Sequence, residues 1–318
     1  MSDFWQEVPL RAMGVVGQLI LGDAPDGLDR WAVGELERLE QCWSRFRPDG
    51  ELCSLNVDPR PEVPVSSTLA EAVATAVSAW QTTGGACDAS VIDALEQWGY
   101  DRTFAEVRGR SGMVQRPLRS APTTGLDGVG VGCHPGLRWW VRRPPGVRLD
   151  LGGIGKGLAL DMVADGLLAR GARSVSIALG GDIRLAGEVP DAGWSVPVED
   201  PWRDDAIVLT VVLGTGAGVV ASTVRHRRWQ HPDGTWSHHL IDPASGRPTD
   251  TDVAAAVVVA ATAWEAEALA KSAVVRGGRD GADLLSTHAE GAWLAGADGR
   301  LRSVDCSVTP AVREGAPA

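Results

Sequence analysis

Of the 30 basic residues in this 318-residue chain, only Lys156 and Lys271 are lysines; the other 28 are arginines. Lysine is a compact, mobile point charge, whereas arginine is a rigid planar fork. A lysine kept in so arginine-rich a chain marks a position where the fork does not serve. Lys156 lies in Leu151-Gly152-Gly153-Ile154-Gly155-Lys156-Gly157, directly after Asp150. Glycines that let backbone approach a ligand, followed by the free N–H groups of a helix start, suit a phosphate. The glycine spacing fits neither a dinucleotide-fold fingerprint nor a Walker A loop, so as a motif it is generic. Lys271 follows Glu267 by four residues, so the two share a helix face. On a surface such a pair contributes about 0.3–0.5 kcal/mol. The surrounding Ala, Leu and Val point instead to burial. A third segment, His238-His239-Leu240-Ile241-Asp242-Pro243-Ala244-Ser245-Gly246, leaves three readings open: a base, a metal ligand or a turn-stabilising group. Neither histidine has a Cys or His at zinc-like spacing.

These segments need elements to hold them. Residues 10–22 alternate loosely and read as a first strand. Helical spacing covers 29–46 and 67–83, the second with Ser67 as an N-cap candidate and Gly84-Gly85 as its stop. A short helix is expected over 88–100 and a strand over 147–151. A helix over 156–170 would end at Gly171. Strands are expected over 174–179, 207–212, 217–222 and 254–260. Further helices follow over 263–275 and 281–287, then a hairpin over 291–301 that turns at Asp298-Gly299. The Gly-, Pro- and Arg-rich stretch 105–146 reads as a variable, loop-rich insert with a hairpin near Trp139-Trp140-Val141. The expected fold class is α/β, mixed sheets flanked by helices, in one domain over 1–318 with its core at about 10–305.

Composition narrows the partners. The chain is 44% hydrophobic with no apolar run of membrane length. Its formal net charge is -11, against nucleic acid or an anionic membrane surface as a partner. An anionic ligand would then need a local positive pocket, which the two lysines could line. The five cysteines (Cys42, Cys53, Cys87, Cys133 and Cys306) show no CxxC spacing and read as reduced thiols. The first ten residues have no basic, apolar or lipobox-like features of a secretion signal, so a cytoplasmic location is expected.

Taken together, the segments resemble the ApbE family of FAD:protein FMN transferases, from Arg11 to about Gly299. Arg11-Ala12-Met13-Gly14 resembles the family's opening strand. Ser44 to Leu52 with Asn56, Thr83-Gly84-Gly85-Ala86-Cys87-Asp88 with Trp98-Gly99, Asp150 to Gly157, Gly180-Gly181-Asp182, and His239 to Pro243 with Gly246 follow in the family's order. The resemblance implies a T-fold-like domain that binds FAD and transfers FMN to a Thr or Ser of an acceptor flavoprotein, releasing AMP. It places Met13, Phe46, Ala86, Cys87, Asp88, Asp150, Lys156, Ile241 and Ala270 at FAD-contacting positions, with Phe46 against the flavin ring. His239 matches the histidine near the reacting phosphates. A catalytically weak FAD-binding carrier or sensor, or an FAD hydrolase giving FMN and AMP, stays open beside the transferase.

The resemblance also implies a magnesium site, and here the chain departs from the pattern. The ligand positions fall on the Gly153 carbonyl, on Glu267 where the family has Asp, and on Lys271 where it has Thr. A protonated lysine cannot ligate Mg²⁺, which requires oxygens in a tight octahedron. Two arrangements are compatible with this. In one, the Lys271 ammonium takes the metal's place, paired with Glu267. In the other, it turns aside and Mg²⁺ binds through Glu267. On the first, Lys271 joins His239 as a catalytic residue.

Overall fold

A computed structural model describes residues 5–110, 120–136, 138–203, 206–307 and 310–314. Part of the loop-rich insert and of the C-terminal tail thus lies outside the described residues. The described residues within 1–37, 156–223 and 251–318 form one compact unit, and those within 38–155 and 224–250 form a second.

The first unit is built on an eight-stranded sheet. Its spatial order is Trp5–Ala12, Val15–Gly22, Ser174–Leu179, Asp182–Gly187, Ala217–Thr223, Val253–Ala260, Gly291–Gly296 and Leu301–Val304. Each neighbouring pair is antiparallel. The strand Val253–Ala260, VAAAVVVA, is apolar at every position because it lies inside the sheet and almost all of it is buried. A three-stranded sheet of Trp194–Glu199, Ile207–Leu213 and Ala311–Glu314 supplies Trp194, Val196, Val198 and Val211 to a core shared with Val219, Val257 and Trp293. The helix Ala263–Arg276 opens on a reciprocal cap: Thr262 Oγ1 accepts from the Glu265 N–H and Glu265 accepts from the Thr262 N–H. It ends at Gly277, whose φ of +83° lies where glycine is favoured.

The second unit carries the helices Glu51–Val57, Ser67–Thr82, Ile92–Gln97 and Phe104–Arg108. Its three-stranded sheet runs in the order Glu62–Val65, Arg138–Arg142, Gly130–His134. Two short antiparallel ribbons pair Arg228–Gln230 with Trp236–His238 and Ile241–Asp242 with Arg247–Pro248. A small aromatic core gathers Trp98, Tyr100, Trp229 and Ile241, with Phe46 and Phe104 packed against it.

The α/β class is borne out, with antiparallel pairing throughout the described sheets. Three local expectations change. The single strand over 10–22 is a hairpin, Trp5–Ala12 against Val15–Gly22, turned by Met13 and Gly14 at φ of 52° and 73°. Both turn residues sit at positive φ, the geometry that matches strand twist, but Met gives none of the usual Asn-Gly or Asp-Gly signal. The segment 147–151 is not a strand, because its backbone is held by other means described below. The helix start near Ser67 is capped one residue earlier, by Ser66 accepting from the Leu69 N–H at 3.1 Å.

Candidate active site

In the first unit both lysines arrive at one carboxylate. Lys156 Nζ donates to Glu267 Oε1 at 2.5 Å, and Lys271 Nζ donates to the same oxygen at 2.5 Å. The other oxygen, Oε2, accepts the Gly157 N–H at 2.8 Å. Lys156 also donates to Asp182 Oδ2. Local structure explains the convergence. Lys156 is in the first turn of the helix Gly155–Leu168, and Glu267 and Lys271 are one turn apart on the capped helix Ala263–Arg276. The two helices approach closely at Gly157, where a Cβ would stand 2.5 Å from the Ala263 carbonyl oxygen. Asp182 opens the strand Asp182–Gly187, directly after the Gly180-Gly181 turn.

The Glu267 side chain is 0% exposed and that of Asp182 4%, against 18% for Lys156 and 14% for Lys271. Burial alone would raise the Glu267 carboxyl, but the two ammoniums reverse this and hold it well below the usual carboxylate range. Burial pushes Lys271 down and Asp182 up. With two cations on one carboxylate, Glu267 is the firmly ionised member. Close by in the fold, Asp161 accepts the Ala263 and Trp264 N–H groups at 2.9 Å each and pairs with Arg184 at 3.1 Å. It anchors the start of the helix that carries Glu267 and Lys271. Ala270, expected at an FAD-contacting position on that helix, is fully buried. Met13, in the opening hairpin turn, is half-buried.

In the second unit the Gly-rich segment is shaped by side chains. Asn56 clasps Leu149, donating to its carbonyl and accepting from its N–H at 2.8 Å each. The Asp150 N–H donates to the Ala89 carbonyl at 2.7 Å, and Asp150 Oδ1 caps the following turn by accepting from the Gly152 N–H at 2.7 Å. Asp150 Oδ2 pairs with Arg45 Nε at 2.9 Å. Arg45 is nearly buried, with its guanidinium carbon 4.1 Å from the Phe46 ring centroid and 4.8 Å from that of Tyr100. Asp88 acts in the same way, accepting from the Ser90 N–H at 2.8 Å and from the Thr123 hydroxyl at 2.5 Å. Cys87 is buried, and a side chain at Gly153 would meet its sulfur at 3.4 Å. Ala86 is half-buried, and Ile241 belongs to the aromatic core.

The His-Asp-Pro segment divides between its two histidines. His238 Nε2 donates to the Thr249 carbonyl at 3.0 Å, while its Nδ1 accepts from the Leu240 N–H at 3.3 Å. Burial lowers its pKa, so it stays neutral and serves the turn. Asp242 also serves the turn, through the Ala244 N–H at 3.0 Å. Gly246, at φ +63°, leaves no room for a Cβ, which would fall 1.9 Å from the Ala121 carbonyl oxygen. His239 is half-buried beside them. Sequence reading assigned no role to Asp182, Arg45 or Thr123. Asp182 and Arg45 stand inside the quoted motifs, so the signal was present but the partner was not. Thr123 had no signal at all.

Comparison with known proteins follows this geometry. The chain is 26% identical over 238 residues to the FAD:protein FMN transferase of Haemophilus influenzae, covering 74% of this chain and 68% of that one. With the FAD:protein FMN transferase of Treponema pallidum it shares 29% over 269 residues, 79% and 71% of the two chains. Its fold matches the crystal structure of the ApbE protein of Thermotoga maritima with a TM-score of 0.81 at 22% identity, covering 95% and 97%. It also matches the apo flavinyl transferase ApbE of Pseudomonas stutzeri at 0.78 and 24%, covering 95% of each. The sequence model of the ApbE family matches residues 13–294, and on that span the chain belongs to the ApbE family.

Proposed function

We propose that this protein is an FAD:protein FMN transferase, acting on a Thr or Ser hydroxyl of an acceptor protein. The observation that carries the reading is the convergence of Lys156 and Lys271 on Glu267 within a chain that matches the family over 13–294. In the reaction the acceptor oxygen bonds to the phosphorus of the FMN half. The phosphoanhydride bond to the AMP half breaks, and AMP leaves with the bridging oxygen. The hydroxyl proton goes to a base, and His239 is assigned that role. Such a transfer depends on positioning and on cations against the phosphate oxygens. Lys156 and Lys271 supply ammonium donors, Asp150 shapes the glycine turn, and Phe46 offers an aromatic surface to the flavin. Met13, Ala86, Cys87 and Asp88 remain assigned to FAD contact. Ile241 and Ala270 are both buried, each within its own unit.

A magnesium ion, which the resemblance implies, does not fit the residues present. Glu267 Oε1 is occupied by two ammoniums and Oε2 by a backbone N–H. Mg²⁺ demands oxygen ligands in near-ideal octahedral geometry, and a protonated Lys271 has no lone pair to give. No step is therefore assigned to the metal.

Incubation with FAD and an acceptor protein tests the reading. AMP and flavin-labelled acceptor are expected in equal amounts. His239→Ala should slow transfer by about 10²–10⁴-fold, the usual contribution of a positioned base, while FAD still binds. AMP with free FMN would identify a hydrolase. Intact bound FAD without AMP would identify a binder.

A further inference from the structure

We infer that this chain carries a built-in cation in the place of a divalent metal: Lys271, held with Lys156 by Glu267 and Asp182, meets the pyrophosphate of a dinucleotide and keeps Mg²⁺ out. The inference deepens the flavin reading and rests on it for the identity of the anion. The exclusion of the metal rests on the cluster alone.

Three observations carry it. First, a chain that uses arginine 28 times places both of its lysines on one oxygen atom, Glu267 Oε1. Chance placement on solvated faces would not bring residues 115 positions apart to the same acceptor. A guanidinium fork at either place would need a wider, planar site than a compact ammonium does. Second, the two carboxylate side chains are more deeply buried than the two lysine side chains. The side chains of Glu267 and Asp182 are 0% and 4% exposed, those of Lys271 and Lys156 14% and 18%. The solvent-reached part of the cluster therefore belongs to the two lysine side chains, whose ammoniums are of the kind that recognises phosphate oxygen. Third, the placement is rigid. Glu267 and Lys271 are one turn apart on a helix with a reciprocal cap, and Asp161 grips the first two N–H groups of that helix.

The two ammoniums and two carboxylates cancel formally. Because both Glu267 oxygens already accept N–H bonds, the cluster offers a ligand ammonium donors rather than free carboxylate lone pairs, which suits an anion and not a dication. The site is thus complete without a metal and selective for an anion.

The decisive experiment counts bound Mn²⁺ by electron paramagnetic resonance in the full-length protein, with Mg²⁺ as competitor, and follows FAD affinity by flavin fluorescence with and without EDTA. The wild type is expected to bind no competable Mn²⁺ and to hold FAD equally well in EDTA. Lys271→Thr, which restores an oxygen and removes the charge, should gain one Mn²⁺ per chain and make FAD binding EDTA-sensitive. Lys271→Met, of similar volume and neutral, should lose about tenfold in FAD affinity, equivalent to about 1.4 kcal/mol. One competable Mn²⁺ per wild-type chain overturns the inference. So does a folded Lys271→Thr, verified by circular dichroism, that gains no ion. Absence of FAD binding in every variant would count against the flavin reading instead, and the ion count would still decide this one.

Discussion

At the scale of single residues, the informative group is Glu267 rather than either lysine. It is the buried hub that both ammoniums and one backbone N–H share. Removing one member of a buried charge group leaves its partners desolvated and unpaired, which costs about 3–5 kcal/mol. Glu267→Gln should therefore destabilise the protein by that amount in urea denaturation. Lys271→Met should cost much less, because Glu267 keeps Lys156. A Glu267→Gln variant within about 1 kcal/mol of wild type would show that the cluster is not the buried hub described here. The sequence showed that Glu267 and Lys271 share a helix face, since i and i+4 do so in any helix. It could not show Lys156 and Asp182 reaching the same place, because their spacing of 111 and 85 residues from Glu267 carries no periodic signal.

At the scale of elements, the cluster depends on how closely the helix Gly155–Leu168 approaches the helix Ala263–Arg276. Gly157 is the contact. A methyl group there would fall 2.5 Å from the Ala263 carbonyl oxygen and 2.6 Å from the Trp264 Cα, both rigid backbone. Gly157→Ala should cost roughly 1–3 kcal/mol, the usual penalty for forced overpacking. It should also weaken FAD binding, because the helices must part and the Gly157 N–H bond to Glu267 lengthens. Thermal melting and flavin fluorescence check the two effects. A variant with wild-type melting and affinity would mean the helices accommodate the methyl freely. Helices were the legible elements here, because their apolar spacing and caps are local. The segment 147–151 was not. Its apolar residues resemble a strand, but its backbone is paired by the Asn56 side chain and the Ala89 carbonyl, partners that lie far away in sequence. The Met13-Gly14 turn was likewise hidden, since a methionine at φ 52° follows no turn preference.

At the scale of the whole molecule, the net charge of -11 sets the long-range field. A dinucleotide anion approaches against it, and the local ammonium pair favours its arrival. Screening shortens the reach of the repulsion, with a Debye length of about 30 Å at 0.01 M falling to about 8 Å at 0.15 M. The FAD association rate should therefore rise with added salt over that range, contrary to the steered binding of a basic protein. Stopped-flow flavin fluorescence measures it. A rate that falls with salt would mean that a positive field around the site outweighs the net charge.

The amino-acid sequence alone determined the class of fold, most helices and strands, and the family, because periodicity, caps and ordered motifs are written locally along the chain. It also marked the two lysines as unusual by their scarcity. Only the tertiary structure decided that both lysines, Glu267 and Asp182 form one buried ionic cluster, that Arg45 holds Asp150, and that His238 serves the turn. Contacts of that kind depend on which distant segments pack together, and burial, not spacing, determines which charges must pair.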